Sequence, residues 1–130
     1  MVKVAVPTKD HAGLEDKVSE VFGKAKTFTI VEIENGKIVN VQIIDNPASS
    51  YTHGSGPIVA KTLADLKVDI VLAAGIGPGA SELLDYHKIK KILVEPNIDV
   101  AEAIKKNLEK FEHLIKQQFN GNTIIHQKSI

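Results

Sequence analysis

An Asn-Gly pair at positions 35–36 stands between two runs rich in β-branched and aromatic residues, Phe28–Ile33 and Ile38–Ile44. Asn-Gly is the sharpest short-range hairpin signal, because a two-residue type I′ turn needs positive φ at both central positions. The two runs are therefore expected to be antiparallel neighbours. A strand precedes them, since Val2, Val4 and Val6 alternate up to Pro7. Between that strand and the hairpin, Thr8–Lys26 is polar, with a helical turn expected over Val18–Phe22. From Pro57 the period changes, and Ile58, Val59, Thr62, Leu63 and Leu66 share one helical face. The apolar run from Asp69 to Gly75 reads as a strand buried on both faces. A short helix from Pro78 to about Tyr86, a strand over Ile89–Val94 and a last helix follow. Asp99 and Glu102 have the spacing of a capping box. Ile104, Leu108, Phe111, Leu114, Ile115 and Phe119 then recur every three or four residues until Asn120-Gly121. The tail, residues 121–130, is expected to hold a short strand over Thr123–His126. The order β, β-hairpin, α, β, α, β, α predicts one α/β domain over residues 1–130, a sandwich around a five-stranded mixed sheet.

Composition removes several kinds of chemistry. The chain has no cysteine, which excludes disulfides, thiolate nucleophiles and cysteine-held zinc or iron–sulfur centres. Its 16 basic residues balance 16 acidic ones, so no net field draws in nucleic acid or an anionic membrane. All the basic residues are Lys, which lacks the planar fork that reads phosphates and guanine edges. Aromatic residues are 5% of the chain, too few for a base-stacking platform. The opening Val2–Pro7 is too short for a signal peptide, and no apolar run reaches the ~18 residues of a membrane span. The expectation is a cytoplasmic protein without nucleic-acid or membrane partners.

With only the second strand reversed, the loops after the other four leave one edge of the sheet. They are Thr8–Gly13, Asp45–Gly56, Gly75–Gly79 and Glu95–Asn97, and ligands of open α/β sheets bind at such an edge. Two of these loops carry the same phrase. Gly54-Ser55-Gly56-Pro57 and Gly75-Ile76-Gly77-Pro78 each place Gly-x-Gly-Pro at a helix start, with Pro expected as the first helical residue. Helix starts offer free N–H groups and partial positive charge to an anion. The candidate binding residues are accordingly His53, Gly54, Ser55 and Gly56 in one loop, and Gly75, Ile76, Gly77 and Gly79 in the other. His53 and His11 are the candidate metal ligands. His87, His113 and His126 are read as structural or solvent-facing. Serines 49, 50 and 55 lack the orienting acid and oxyanion hole of a triad, and no Walker or His-Glu-x-x-His pattern occurs. Gly75-x-Gly77-x-x-Ala80 also fits the looser dinucleotide fingerprint, with Glu95 in the place of its ribose-binding acid. Pro78 removes one N–H from that turn.

Four segments in this order resemble a known family. They are Val2–Pro7; Val18-Ser19-Glu20-Val21-Phe22-Gly23-Lys24-Ala25-Lys26-Thr27-Phe28-Thr29-Ile30; His53-Gly54-Ser55-Gly56; and Ala74-Gly75-Ile76-Gly77-Pro78-Gly79-Ala80. Over residues 1–105 the chain resembles the dinitrogenase iron–molybdenum cofactor biosynthesis family, which includes NifX, the cofactor-binding part of NafY and the C-terminal part of NifB. The resemblance implies a ribonuclease H-like, three-layer α/β/α fold with the second of five strands antiparallel. It implies non-catalytic binding or carriage of an iron–sulfur-based cofactor, such as the iron–molybdenum cofactor or a precursor, in company with cofactor-assembly proteins. Such clusters are anionic and suit the two helix starts. The nuclease chemistry of the fold is excluded, because it needs several carboxylates around paired metal ions and the first and fourth strands carry none.

Three readings stand. The first is a carrier that is a monomer or weak homodimer, its cluster delivered preassembled and not covalently bound. The second is a nucleotide-binding protein centred on Gly75–Ala80 and Glu95. The third is a scaffold or interaction domain without a ligand.

Overall fold

The computed structural model describes residues 1–128, and side chains through residue 115. The strands are β1 (Val2–Thr8), β2 (Thr27–Glu34), β3 (Lys37–Asp45), β4 (Ile70–Ala73) and β5 (Lys90–Leu93). The helices are α1 (Ser55–Asp65), α2 (Pro78–Tyr86) and α3 (Val100–Lys128). Asn35 and Gly36 turn β2 into β3 with φ of 53° and 75°, as the hairpin signal requires. The sheet order is β3-β2-β1-β4-β5. β2 is antiparallel to both β1 and β3, whereas β4 is parallel to β1 and β5. Only β2 is reversed, so the sheet is mixed and the four predicted loops leave one edge.

Side-chain alternation divides the core between the two sheet faces. Ala5, Phe28, Ile30, Val71 and Ala73 point to one face and pack with Val59, Ala60 and Leu63 of α1 and Ala80 and Leu84 of α2. Val4, Val6, Val31, Ile33, Ile70 and Leu72 point to the other and pack with Val100, Ile104 and Phe111 of α3. β4 is buried along its whole length, because helices cover both faces there.

Five local expectations are corrected. Val18–Phe22 forms no helical turn; a single 3₁₀ turn lies earlier, at Gly13–Glu15. Val18 instead bridges Thr8, and Lys17 bridges Asp99, so this segment stitches β1 to the start of α3. The Asp99–Glu102 capping box is not made, because Lys17 takes the Asp99 carboxylate. α3 runs through Asn120-Gly121 to Lys128, and the strand expected over Thr123–His126 is helix. A glycine inside a helix costs about 1 kcal/mol and does not by itself end one. The two Gly-x-Gly-Pro phrases also differ. Pro78 is the first residue of α2, but α1 begins two residues before Pro57, directly after Gly54 in the left-handed conformation (φ 77°). Residues 129–130 lie outside the described residues.

Candidate functional site

The site is built where β1, β3, β4 and β5 end. On the side of α1 and α2, the two Gly-x-Gly-Pro starts lie against each other. A Cβ added to Gly56 would stand 2.9 Å from the Cβ of Ala80, so that glycine is required for the approach. The loop before β2 closes the third side, since a Cβ on Gly23 would meet the Ser55 Oγ at 2.8 Å and the Gly56 backbone N at 3.1 Å. Asn46 holds this arrangement from below. Its side-chain amide donates to the carbonyls of Gly23 and Ala25, at 2.9 and 2.8 Å, and its Oδ1 accepts the Ala48 N–H.

Neither helix start is capped by a side chain, and neither carries an acidic residue in its first turn. Gly54, Gly77 and Gly79 have nothing within 4 Å of an added Cβ. Gly77 has an ordinary extended backbone (φ −64°, ψ 158°), and Gly79 is helical, so neither packing nor conformation inside the chain demands glycine there. Glycine at these positions places no side chain over the helix starts. His53 is exposed at the head of α1 and makes no side-chain hydrogen bond among the described residues. Exposed Tyr51 and Val21 stand in the bordering loops.

His11 is on the same edge but is already engaged, its Nε2 lying 2.6 Å from the Asp45 Oδ1. The His11 loop is fixed by residues that carry no recognisable motif. The Asp16 carboxylate is buried and accepts the N–H groups of Lys9, Asp10, Ala12 and Lys17. The Thr27 hydroxyl donates to the Asp10 carbonyl and lies 2.6 Å from that of Thr8. Sequence reasoning missed Asp16 because nothing local marks one acid among several as buried. The alternating Thr27 and Thr29 opposite Thr8 were the available signal for the hydroxyl cluster. A second missed group spans the loops after β1 and β5, where Asn97 Nδ2 donates to Glu20 Oε1 at 3.3 Å and Lys9 Nζ reaches both residues. It borders Gly75, whose added Cβ would lie 3.8 Å from the Glu20 carbonyl.

Further along this edge, Lys17 pairs with Asp99. The hydrogen bond that Lys17 donates to the Asp99 carboxylate, then the negative charge of that carboxylate, holds the Lys17 ammonium above the ordinary lysine value. Glu95 is not gathered to the start of α2: it lines a groove with Lys106, Asn107 and Lys110 of α3, which packs on the opposite sheet face. His87 caps the end of α2, and His113 lies exposed on α3. Among the described residues, no three of His, Asp and Glu stand together as a ready-made ion site. The donor set fits a larger anionic group, met by bare N–H groups and one imidazole. No helix among the described residues is long and apolar enough to cross a membrane.

Known proteins resemble this chain in sequence and fold. An uncharacterized protein of Methanocaldococcus jannaschii is 32% identical over 117 residues, covering 86% of this chain and 93% of the relative. The apo form of the orange protein from Desulfovibrio gigas superposes with a TM-score of 0.77 at 27% identity, covering 85% of this chain and 89% of that one. A candidate NifB protein from Thermotoga gives a TM-score of 0.68 at 31% identity, with the same coverage of 85% and 89%. The sequence model of the family described as dinitrogenase iron-molybdenum cofactor matches residues 1–110. The opening strand, the glycine-bearing loops and both helix starts fall inside that match, and the chain belongs to the dinitrogenase iron-molybdenum cofactor family.

Proposed function

We propose that the protein is a non-catalytic carrier of an anionic metal cluster, of the iron–sulfur or iron–molybdenum type, taken up preassembled and passed on. One observation carries this reading. Two uncapped helix starts lie side by side, and their outer glycines, 54, 77 and 79, would direct an added Cβ only into open space. In this reading the N–H groups of Ser55, Gly56, Gly79 and Ala80 face the cluster's negative sulfur atoms, Gly75 and Ile76 shape the floor, and His53 supplies the single metal-ligating nitrogen. His11 is the weaker ligand, because Asp45 competes for it. With no thiolate in the chain, the cluster is held by one imidazole and backbone dipoles and can leave, as a carrier requires. The family match and the orange-protein likeness support cofactor handling, and the reading takes cofactor-assembly proteins as delivery partners and the cytoplasm as the place of work. They also support reading the two helix-covered faces as a three-layer, ribonuclease H-like sandwich.

The test is anaerobic incubation with a preassembled iron–sulfur or molybdenum–iron–sulfur cluster, desalting, and metal and sulfide analysis. The expected result is retained metal and sulfide that falls when His53 becomes Ala. Absence of retained metal and sulfide in the unaltered protein would overturn the carrier reading. A thermal shift with nucleotides in its place would turn attention to Gly75–Ala80.

A further inference from the structure

The two edges of the sheet are not equally protected. β5 is four residues long and carries two lysines, of which Lys91 is tied to Asp85 at 2.8 Å and to the Ser81 hydroxyl at 2.6 Å. Short, charged edges resist pairing. β3 is nine residues long, Lys37-Ile38-Val39-Asn40-Val41-Gln42-Ile43-Ile44-Asp45, and nothing among the described residues pairs with its outer side. It leaves Ile38, Val39 and Val41 exposed at 39%, 51% and 37%. Its one irregularity is a bulge near the hairpin end, where Glu32 pairs with Asn40 and Ile33 with Ile38, leaving Val39 extra.

We propose that β3 is a homodimer interface, on which a second copy of this chain adds its own β3 antiparallel to form one continuous sheet. Backbone geometry sets the axis. The Asn46 N–H bonds to the Lys26 carbonyl, so by antiparallel alternation Asn40, Gln42 and Ile44 bond inward to β2. The N–H and C=O groups of Val41, Ile43 and Asp45 therefore point outward, unpaired by β2. A two-fold axis through Val41 pairs these groups with their equivalents in the second copy. The sequence is self-complementary about that axis. Val41 meets Val41, Asn40 faces Gln42, the exposed apolar residues meet one another, and Lys37 at one end of each strand comes beside Asp45 at the end of the other. Asp45 is the one acid of the strand and is 81% exposed at its side chain, so it can serve both His11 and a Lys37 from the second copy. An isologous contact of this kind closes after two chains and does not propagate. The two-fold axis lies perpendicular to the sheet, so the two glycine-lined helix starts open at opposite ends of the dimer. The interface leaves both helix starts open and meets the proposed site only through Asp45, which it shares with His11.

Sedimentation equilibrium over a micromolar-to-millimolar dilution series tests this. The unaltered chain should move reversibly between 14.1 kDa and twice that mass. Val41→Lys places two like charges across the axis and should leave a monomer with an unchanged far-ultraviolet circular dichroism spectrum. The decisive arm is a charge exchange. Lys37→Asp and Asp45→Lys should each be monomeric alone, and their mixture should form a heterodimer, because each chain then supplies what the other lacks. A monomer at every concentration, or a dimer that survives Val41→Lys, would overturn the proposal. So would a mixture that behaves as its separate components while Val41→Lys is also without effect.

Discussion

The protein builds helix starts in two ways. α3 begins after Asp99, has Glu102 in its first turn, and has its Val100 N–H satisfied by the Asp16 carbonyl. Its positive end is neutralised from within, by acids and a carbonyl the chain supplies. α1 and α2 begin after Gly54 and Gly77, with no capping side chain and no first-turn acid. A side-chain N-cap is worth ~1 kcal/mol over alanine and ~0.3 kcal/mol over glycine, and needs only a Ser, Thr, Asp or Asn at that position. Both glycine starts lie together on the edge where the parallel strands end, and the start of α3 is tied to the Lys17 loop. The contrast teaches that side-chain capping has been left unused at the two starts where the proposed anion would be met.

The largest expected effect comes from the glycine that serves packing. Gly56→Leu forces a side chain into the 2.9 Å contact with Ala80 and should destabilise the fold by ~1–3 kcal/mol, read by urea denaturation. A neutral result would mean that α1 and α2 part easily, and the two starts would no longer form one fixed site. Gly77→Asp breaks the comparison from the other side by giving α2 the kind of start that α3 has. The extended backbone at 77 suits an N-cap, and no neighbour lies within 4 Å of the new Cβ. The variant should gain about 0.5 kcal/mol of stability from the cap and the helix dipole and lose cluster retention, because its carboxylate occupies the free N–H groups and repels an anion. Stability and binding moving in opposite directions is the signature expected. Retention at the original level would remove α2 from the site.

His53→Ala should weaken cluster retention about tenfold, equivalent to about 1.4 kcal/mol, with an unchanged denaturation midpoint. The side chain is exposed and unbonded, so only a ligand registers its loss. Full retention would leave the helix starts as the sole holding groups.

Much of this was legible in the residues. Asn35-Gly36 located the hairpin, and the continuous Ile70–Ala73 run identified the strand buried on both faces. Topology then followed, because a helix between two strands on one sheet makes them parallel. The shared Gly-x-Gly-Pro phrase brought out both helix starts, but its meaning depends on contacts across the chain. Gly56 is demanded by Ala80, 24 positions away, while Gly77 is demanded by nothing inside the protein. Asp16 and the Lys9–Glu20–Asn97 group were invisible for the same reason. A carboxylate that gathers the N–H groups of a preceding loop looks, in sequence, like any surface acid. The early end assigned to α3 at Asn120-Gly121 rested on turn propensity alone, which the continuing helix overrides.

The smallest effect concerns the start of α3 itself. The Asp99 hydrogen bond and charge raise Lys17 above its ordinary value in the folded chain, and the unfolded chain has no such partner. Folding therefore favours the protonated ammonium. The contribution is fully present below the ordinary lysine range and is lost as pH rises through the raised value of the folded state. Both side chains are about half exposed, so salt screens the pair. The expected outcome is a denaturation free energy unaffected near neutral pH by this group's titration and declining at alkaline pH. Lys17→Met should flatten part of that decline and leave cluster retention untouched, because the start of α3 is neutralised by its own acids and takes no part in holding cargo. If Lys17→Met lowered retention as His53→Ala does, the division between self-neutralised and open helix starts would fail.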